Sequence, residues 1–236
     1  MATQVQFRRG TAAQTASFTG VAGEVTVDTD DNRLVVHDGS TAGGIAAAKE
    51  SEIPTATTLT IGQQTIWVPA GAMEPRVTTA PATSNAVEIA TSLLALRTMD
   101  FATDADDNAG FAIQMPKGWD EGTIIAQFVW STTGAQGAGN DGVAWFIQGG
   151  AYASNDVLTT ALGTAVGVTQ DHSATANDVM ITSETAAVTI AGSPSAEEWV
   201  YFNVYRDVSD AADDLDIDAW LHGVKIHYTI NAGNDS

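Results

Sequence analysis

The chain has 236 residues, 44% of them hydrophobic, and no cysteine. That length and apolar content suit one large or two ordinary globular domains, while the missing thiols exclude disulfide staples, thiolate catalysis and zinc sites built on Cys pairs. The formal net charge of −20 is uneven: residues 1–50 carry four basic and six acidic side chains, residues 51–236 five basic and twenty-three acidic. Such a field repels phosphates, so the C-terminal part is not expected to bind nucleic acid.

No apolar run approaches the ~18 residues of a membrane-spanning helix, and the start, MATQVQFRRG, lacks the apolar core of a secretory leader. Neither membrane insertion nor standard export is expected. Val5 and Phe7 alternate with Gln4 and Gln6, a short strand signal, and Arg8-Arg9-Gly10 reads as a break. Thr11 stands three residues before Gln14 in the T-x-x-Q form of a capping box, and Ala12, Ala13 and Ala16 favour helix, so a helix is predicted from Thr11 to Phe18. Gly20 is placed to stop it in the left-handed conformation. Glu24–Asp28 and Arg33–His37 are β-branched-rich runs around the turn-forming Thr29-Asp30-Asp31-Asn32, which predicts a hairpin. Turns follow at Asp38-Gly39 and Gly43-Gly44. A unit of about 40 residues rarely stands alone without metals, disulfides or partners, so this one should oligomerise or dock.

The residues Arg8-Arg9-Gly10-Thr11-Ala12-Ala13, Gly23-Glu24, Asp28-Thr29-Asp30 with Leu34, and His37-Asp38-Gly39-Ser40-Thr41 resemble the N-terminal module of phage tail-fibre and receptor-binding proteins, in particular the major tropism determinant family. In that family the module lies at the virion-proximal end of fibres, so the resemblance implies an anchor. The candidate assembly residues are Phe7, Arg8, Arg9, Thr11, Phe18, Leu34, His37 and Asp38.

Pro54, Pro69, Pro75 and Pro81 place four of the six prolines close together, which excludes a regular helix or a central strand. Residues 1–52 are expected as a virion-anchoring module, 53–82 as a proline-rich linker and entry segment, and 83–236 as a β-sandwich domain. Trp67, between Ile66 and Val68, is expected in the core. Strands are predicted at Ile124–Trp130, Val143–Ile147, Trp199–Arg206 and Leu215–Ile230, and the apolar parity of the last switches at Gly223, which suggests a bulge. The runs are separated by Gly, Asp and Asn clusters, so the fold class is mainly β: a small helix-plus-hairpin module followed by a jelly-roll-like β-sandwich. Met115–Thr123, Thr189–Gly192 and Gly223–Ile226 resemble a β-rich module of phage and prophage virion proteins, which supports the same setting.

Catalytic chemistry finds no motif. The chain lacks G-x-x-x-x-G-K, H-E-x-x-H and G-x-S-x-G patterns, and the glycine-rich run at Gly134–Gly139 reads as a hairpin loop. His222 and His227 fall on opposite faces of one strand unless the bulge intervenes. Asp104–Asn108 and Asp207–Asp218 are dense in carboxylates but lack the spacing of a calcium loop. No catalytic, cofactor-binding or metal residue is assigned, no cofactor is expected, and the chain is not read as an enzyme. The reading is a fibre or spike subunit on the phage particle, assembled in the host cytoplasm. Its expected partners are other virion proteins, further copies of itself as a trimer, and a host-surface glycan or protein. A capsid decoration protein stabilising the head is the alternative. If the chain binds a host, the loops at 131–142 and 207–214 are the candidate contacts.

Overall fold

The computed structural model describes residues 6–52, 62–81, 86–134 and 141–231. The chain divides into two compact units, residues 1–59 and 60–236. In the first, β1 (Arg8–Gly10), α1 (Ala12–Ser17), β2 (Val25–Asp28), β3 (Arg33–Val36) and β4 (Ile45–Ala46) follow in order, and the strands form one sheet, β1-β2-β3-β4. The capping box forms. Thr11 Oγ1 accepts from the Gln14 N–H at 3.3 Å, and Gln14 Oε1 accepts from the Thr11 N–H at 3.0 Å. Asp30 of the β2–β3 turn satisfies another free helix donor, the Ala12 N–H, at 3.0 Å. The turn closes as its residues suggest, with Asp28 accepting from the Asp30 and Asp31 N–H groups and Asn32 left-handed at φ 51°.

Two local expectations are corrected. Arg8-Arg9-Gly10 is a strand, parallel to β2 with Arg8 level with Thr26; a partner distant in sequence decides this, and a local pattern does not carry it. Phe18, in extended backbone, ends the helix in place of a left-handed Gly20. Gly20 is required for another reason, because a Cβ there would lie 2.7 Å from the His37 ring. Val5 lies outside the described residues, and Phe7 is not in a strand.

The second unit contains β5 (Gln63–Pro69), β6 (Glu74–Pro75), β7 (Ala86–Ile89), β8 (Leu94–Arg97), β9 (Met99–Phe101), β10 (Asn108–Gln114), β11 (Ile125–Ser131), β12 (Gly142–Tyr152), β13 (Val166–Asp171), β14 (Met180–Ile181), β15 (Ile190–Ala191), β16 (Trp199–Arg206) and β17 (Ala219–Thr229). One sheet runs β13-β12-β16-β10-β6 with β15 beside β12; the other runs β14-β11-β17-β5 with β9 against β17. Their inner faces meet at Trp145 of β12. Its ring lies 5.0 Å from Phe101, 5.4 Å from Phe128 and 6.2 Å from Trp130, all on the opposite sheet. All four are fully buried, so the unit is a β-sandwich closed around an aromatic centre. The prolines sit where the ladder tolerates them, Pro69 ending β5 and Pro75 in β6, both edge strands. Trp67 corrects the burial expectation: β5 turns Val68 inward and Trp67 outward, 47% exposed. Strand parity, not apolar neighbours in sequence, decides which side a residue faces.

The parity switch at Gly223 is a β-bulge: Val129 pairs Gly223 while Trp130 pairs Leu221, leaving His222 as the extra residue. Leu221, Val224 and Ile226 are thereby all kept in the core.

Candidate functional site

In the N-terminal unit, three of the anchor candidates converge. The Arg8 guanidinium lies 4.7 Å over the Phe18 ring and pairs with Glu24 at 3.1 Å, and Phe18 in turn meets His37 edge-on at 5.1 Å. A groove of about 280 Å³ opens beside them, lined by Arg8, Arg9, Gln14 and Phe18 among others. His37 is buried. Its Nδ1 accepts from the Gly20 N–H at 3.2 Å, so Nε2 carries the proton and donates to Thr26 Oγ1 at 3.0 Å. Thr11 is the helix cap. Asp38 closes the next turn, and hydrogen bonds from the Thr41 hydroxyl, then from the Thr41 and Ser40 N–H groups, hold its carboxyl well below the usual carboxylate range. Phe7 and Leu34 are exposed and stand apart from this cluster.

The sheet has a second, apolar side. Val36 pairs with Val25 on one flank and Ile45 on the other, and Leu34 pairs with Val27, while the intervening Val35 is buried. Leu34, Val36 and Ile45 are 48%, 47% and 63% exposed. Val35 is the only buried apolar residue of this unit among the described residues; its other buried side chains are Thr15, Thr26, Asp28 and His37.

In the sandwich the expected contact loop at 207–214 is tied to the core. Arg206 and Asp213 are buried to 1% and 2% side-chain exposure and paired at 2.7 Å. Arg206 also donates to the Leu215 and Ile217 carbonyls, and Asp213 accepts from the Ala144 N–H. The stretch 207–214 is therefore folded onto its own core by one cation. At 131–134, Thr132 Oγ1 donates to the Gly134 carbonyl and accepts from Nε2 of the buried His172, whose Nδ1 takes the Ala174 N–H. Residues 135–140, with most of the glycine-rich loop, lie outside the described residues. Two of the three carboxylates of 104–108 are used on backbone donors, Asp107 on Ala102 and Asp106 on Val208. Among the described residues no three His, Asp or Glu side chains converge as metal ligands. The bulge does bring His222 and His227 to one face, but His222 meets Ser131 at 2.8 Å and His227 meets Gln127 and Thr65, so each has its own partners.

A cleft that the sequence reading did not single out lies on the outer face of the other sheet, with a volume of about 530 Å³. Trp199 and Tyr152 are directly opposed across β16 and β12, with rings 5.6 Å apart, and Tyr201 follows at 6.1 Å from Trp199. Two glycines let neighbouring side chains lie flat against the sheet here, Leu162 over Gly150 among them. Tyr201 lies across Gly110, where a Cβ would sit 1.7 Å from its hydroxyl, and Gly150 is the residue paired with Tyr201 on the other side. Gln148 and its cross-strand partner Asn203 line one end, with Arg76 beside them. Burial raises the Tyr201 phenol above its ordinary value, and the Arg76 charge opposes that rise. The readable signal was the alternate face of β16: Val200, Phe202 and Val204 point inward, which obliges Trp199 and Tyr201 to point out.

The comparisons follow this division of the chain. Residues 5–41 match the Major tropism determinant N-terminal domain. A tail fiber receptor-binding protein of Bordetella phage BPP-1 is 61% identical over 56 residues, 24% of this chain and 15% of that protein. The chain therefore spans a small part of that relative's length. Among solved structures, a major tropism determinant variant is 31% identical over 52% of this chain and 29% of its own, with a TM-score of 0.21. A family 11 carbohydrate-binding module from Clostridium thermocellum is 7% identical over 70% of this chain and 88% of its own, with a TM-score of 0.33. Neither superposition bears on fold or function at those scores. The sequence matches make residues 5–41 similar to the N-terminal domain of the major tropism determinants.

Proposed function

We propose that the chain is a structural protein of a bacteriophage particle, a fibre or spike subunit held to the virion by its N-terminal unit, with the sandwich displayed for attachment to the host surface. The observation that carries this reading is the combination of a tail-fibre-type N-terminal unit with an apolar sheet face, Leu34, Val36 and Ile45, on a unit that buries one apolar residue among its described residues. Exposed apolar residues in a contiguous row mark a surface that a partner covers. The sandwich, by contrast, has an extensive core and carries most of the negative charge, which keeps it in solvent. The proposed assembly is a homotrimer, in which further copies and a neighbouring virion protein cover the apolar face. No catalytic step is assigned.

Deleting residues 1–45 is expected to abolish incorporation into particles while leaving the sandwich folded, as read by quantitative blotting of purified virions and by near-ultraviolet circular dichroism of the truncated protein. Leu34→Lys with Val36→Lys is expected to lose incorporation in the same way without unfolding the unit. Normal incorporation of either variant overturns the anchor. Particles lacking the protein that adsorb normally but have heat-fragile heads point instead to capsid decoration.

A further inference from the structure

We infer that the aromatic cleft of the sandwich is a carbohydrate subsite for an acidic glycan, a sugar chain bearing carboxylates. The inference rests on the host-attachment reading and names the ligand class for it. Three aromatic side chains, Tyr152, Trp199 and Tyr201, share one outer sheet face. Trp199 is 43% exposed, although a strand pointing it inward would bury it as fully as its neighbour Val200. Outward aromatic rings set side by side supply flat, electron-rich surfaces against which the C–H faces of pyranose rings pack. Two glycines let side chains lie flat against the sheet there: Tyr201 rests across Gly110, where any Cβ would collide with it, and Leu162 lies over Gly150, the residue paired with Tyr201. The Tyr152 hydroxyl donates to the Thr160 carbonyl at 3.2 Å, fastening the following loop as a wall.

Polar groups stand ready at one end. Among the described residues no hydrogen bond or ion pair engages the Gln148 amide or the Arg76 guanidinium. Asn203 is held by its Nδ2–H donating to Asn108 Oδ1 at 2.8 Å, which fixes the amide beside the cleft. A few convergent polar groups in a mostly apolar concavity are the usual anatomy of a small-ligand site. The charge selects the class of sugar. Residues 51–236 carry twenty-three acidic and five basic side chains, a field that opposes polyanions at a distance but is screened by salt beyond about 10 Å; at contact range the cleft presents an arginine and, among the described residues, no carboxylate. An unpaired guanidinium presents a planar fork of donors that matches a carboxylate.

The full-length protein should be incubated with a printed array of uronic-acid, sialic-acid and neutral oligosaccharides, and the strongest binder then titrated by calorimetry. Acidic glycans are expected to be retained and neutral ones not. Arg76→Gln is expected to weaken the acidic ligand by about tenfold or more, the scale of a lost charged hydrogen bond, and Trp199→Ala by a similar factor. Both side chains lie outside the core, and an unchanged melting temperature verifies that each variant is folded. A blank array overturns the inference, as does binding that both variants leave intact, or equal binding of neutral glycans. Adsorption competition separates the two readings. A blank array with purified protein that still blocks phage adsorption sinks the glycan site and spares host attachment; glycan binding without blocking does the reverse.

Discussion

The two units solve the problem of a stable interior in opposite ways. The sandwich is organised around Trp145 and the aromatic rings packed on it, all fully buried. The N-terminal unit is organised around the buried His37, whose two ring nitrogens are both engaged. Apolar burial is non-directional and grows with area, so a large sheet pair is stabilised by its size. A hydrogen-bonded centre is directional and contributes little net stability for each bond, so it specifies a geometry more than it secures one. The difference teaches that a small sheet with one buried apolar residue among its described residues relies on directional polar contacts, whereas the large one relies on apolar burial.

The sharpest way to break that contrast is to remove the buried ion pair inside the sandwich. Arg206→Ala leaves Asp213 buried without its cation and is expected to destabilise the second unit by about 3–5 kcal/mol, measured by urea unfolding followed through tryptophan fluorescence. A loss below about 1 kcal/mol would mean the pair behaves as a surface contact and that 207–214 is not held by it. In the N-terminal unit, Gly20→Ala forces a methyl against the His37 ring and is expected to cost about 1–3 kcal/mol. The readout is hydrogen exchange at the Thr26 and His37 amides; unchanged protection there would show that the polar centre is not the keystone of the unit.

The smallest effect is a pH dependence of opposite sign in the two units. Burial, opposed by the Ala102 N–H, raises the Asp107 carboxyl above its ordinary value of 3.8. The folded chain therefore keeps the proton where the unfolded chain has released it, and stability falls as pH rises through that window. Asp38 is lowered, so its contribution is present above the ordinary 3.8 and is lost as pH falls through the folded value. Asp107→Asn is expected to flatten the first dependence in thermal melts between pH 4 and 6, taking about those limits from ordinary carboxylate titration, and to leave the second untouched. A variant that melts with the same pH slope as the parent would remove Asp107 from the account.

Legibility in the sequence followed the range of each interaction. The capping box, the hairpin turn and the switch of parity at Gly223 are short-range patterns, and each appears in the structure where the residues place it. The parallel pairing of β1 with β2 and the tie from Arg206 to Asp213 depend on what the chain brings back from elsewhere, so Arg8-Arg9-Gly10 reads as a break and the acidic run at 207–214 as a candidate contact loop. Trp67 and Trp199 show the same limit in single residues. Both sit next to core positions in sequence, and only the strand parity, fixed by Val68 and Val200 turning inward, sends them out. The cleft needed a further step, because Tyr152 and Trp199 become opposed only through the register of β12 with β16.

The pairing of β5 with β17 has a consequence for exchange of the sandwich between proteins. These are the first and last described strands of that unit, hydrogen-bonded along their length, with Gln63 level with Thr229. Entry and exit thus lie side by side at one edge, the arrangement that tolerates transplantation of a whole domain. A recombination event replacing 63–229 would have to preserve one narrow junction, and could exchange the whole sandwich while the N-terminal unit remained as it was.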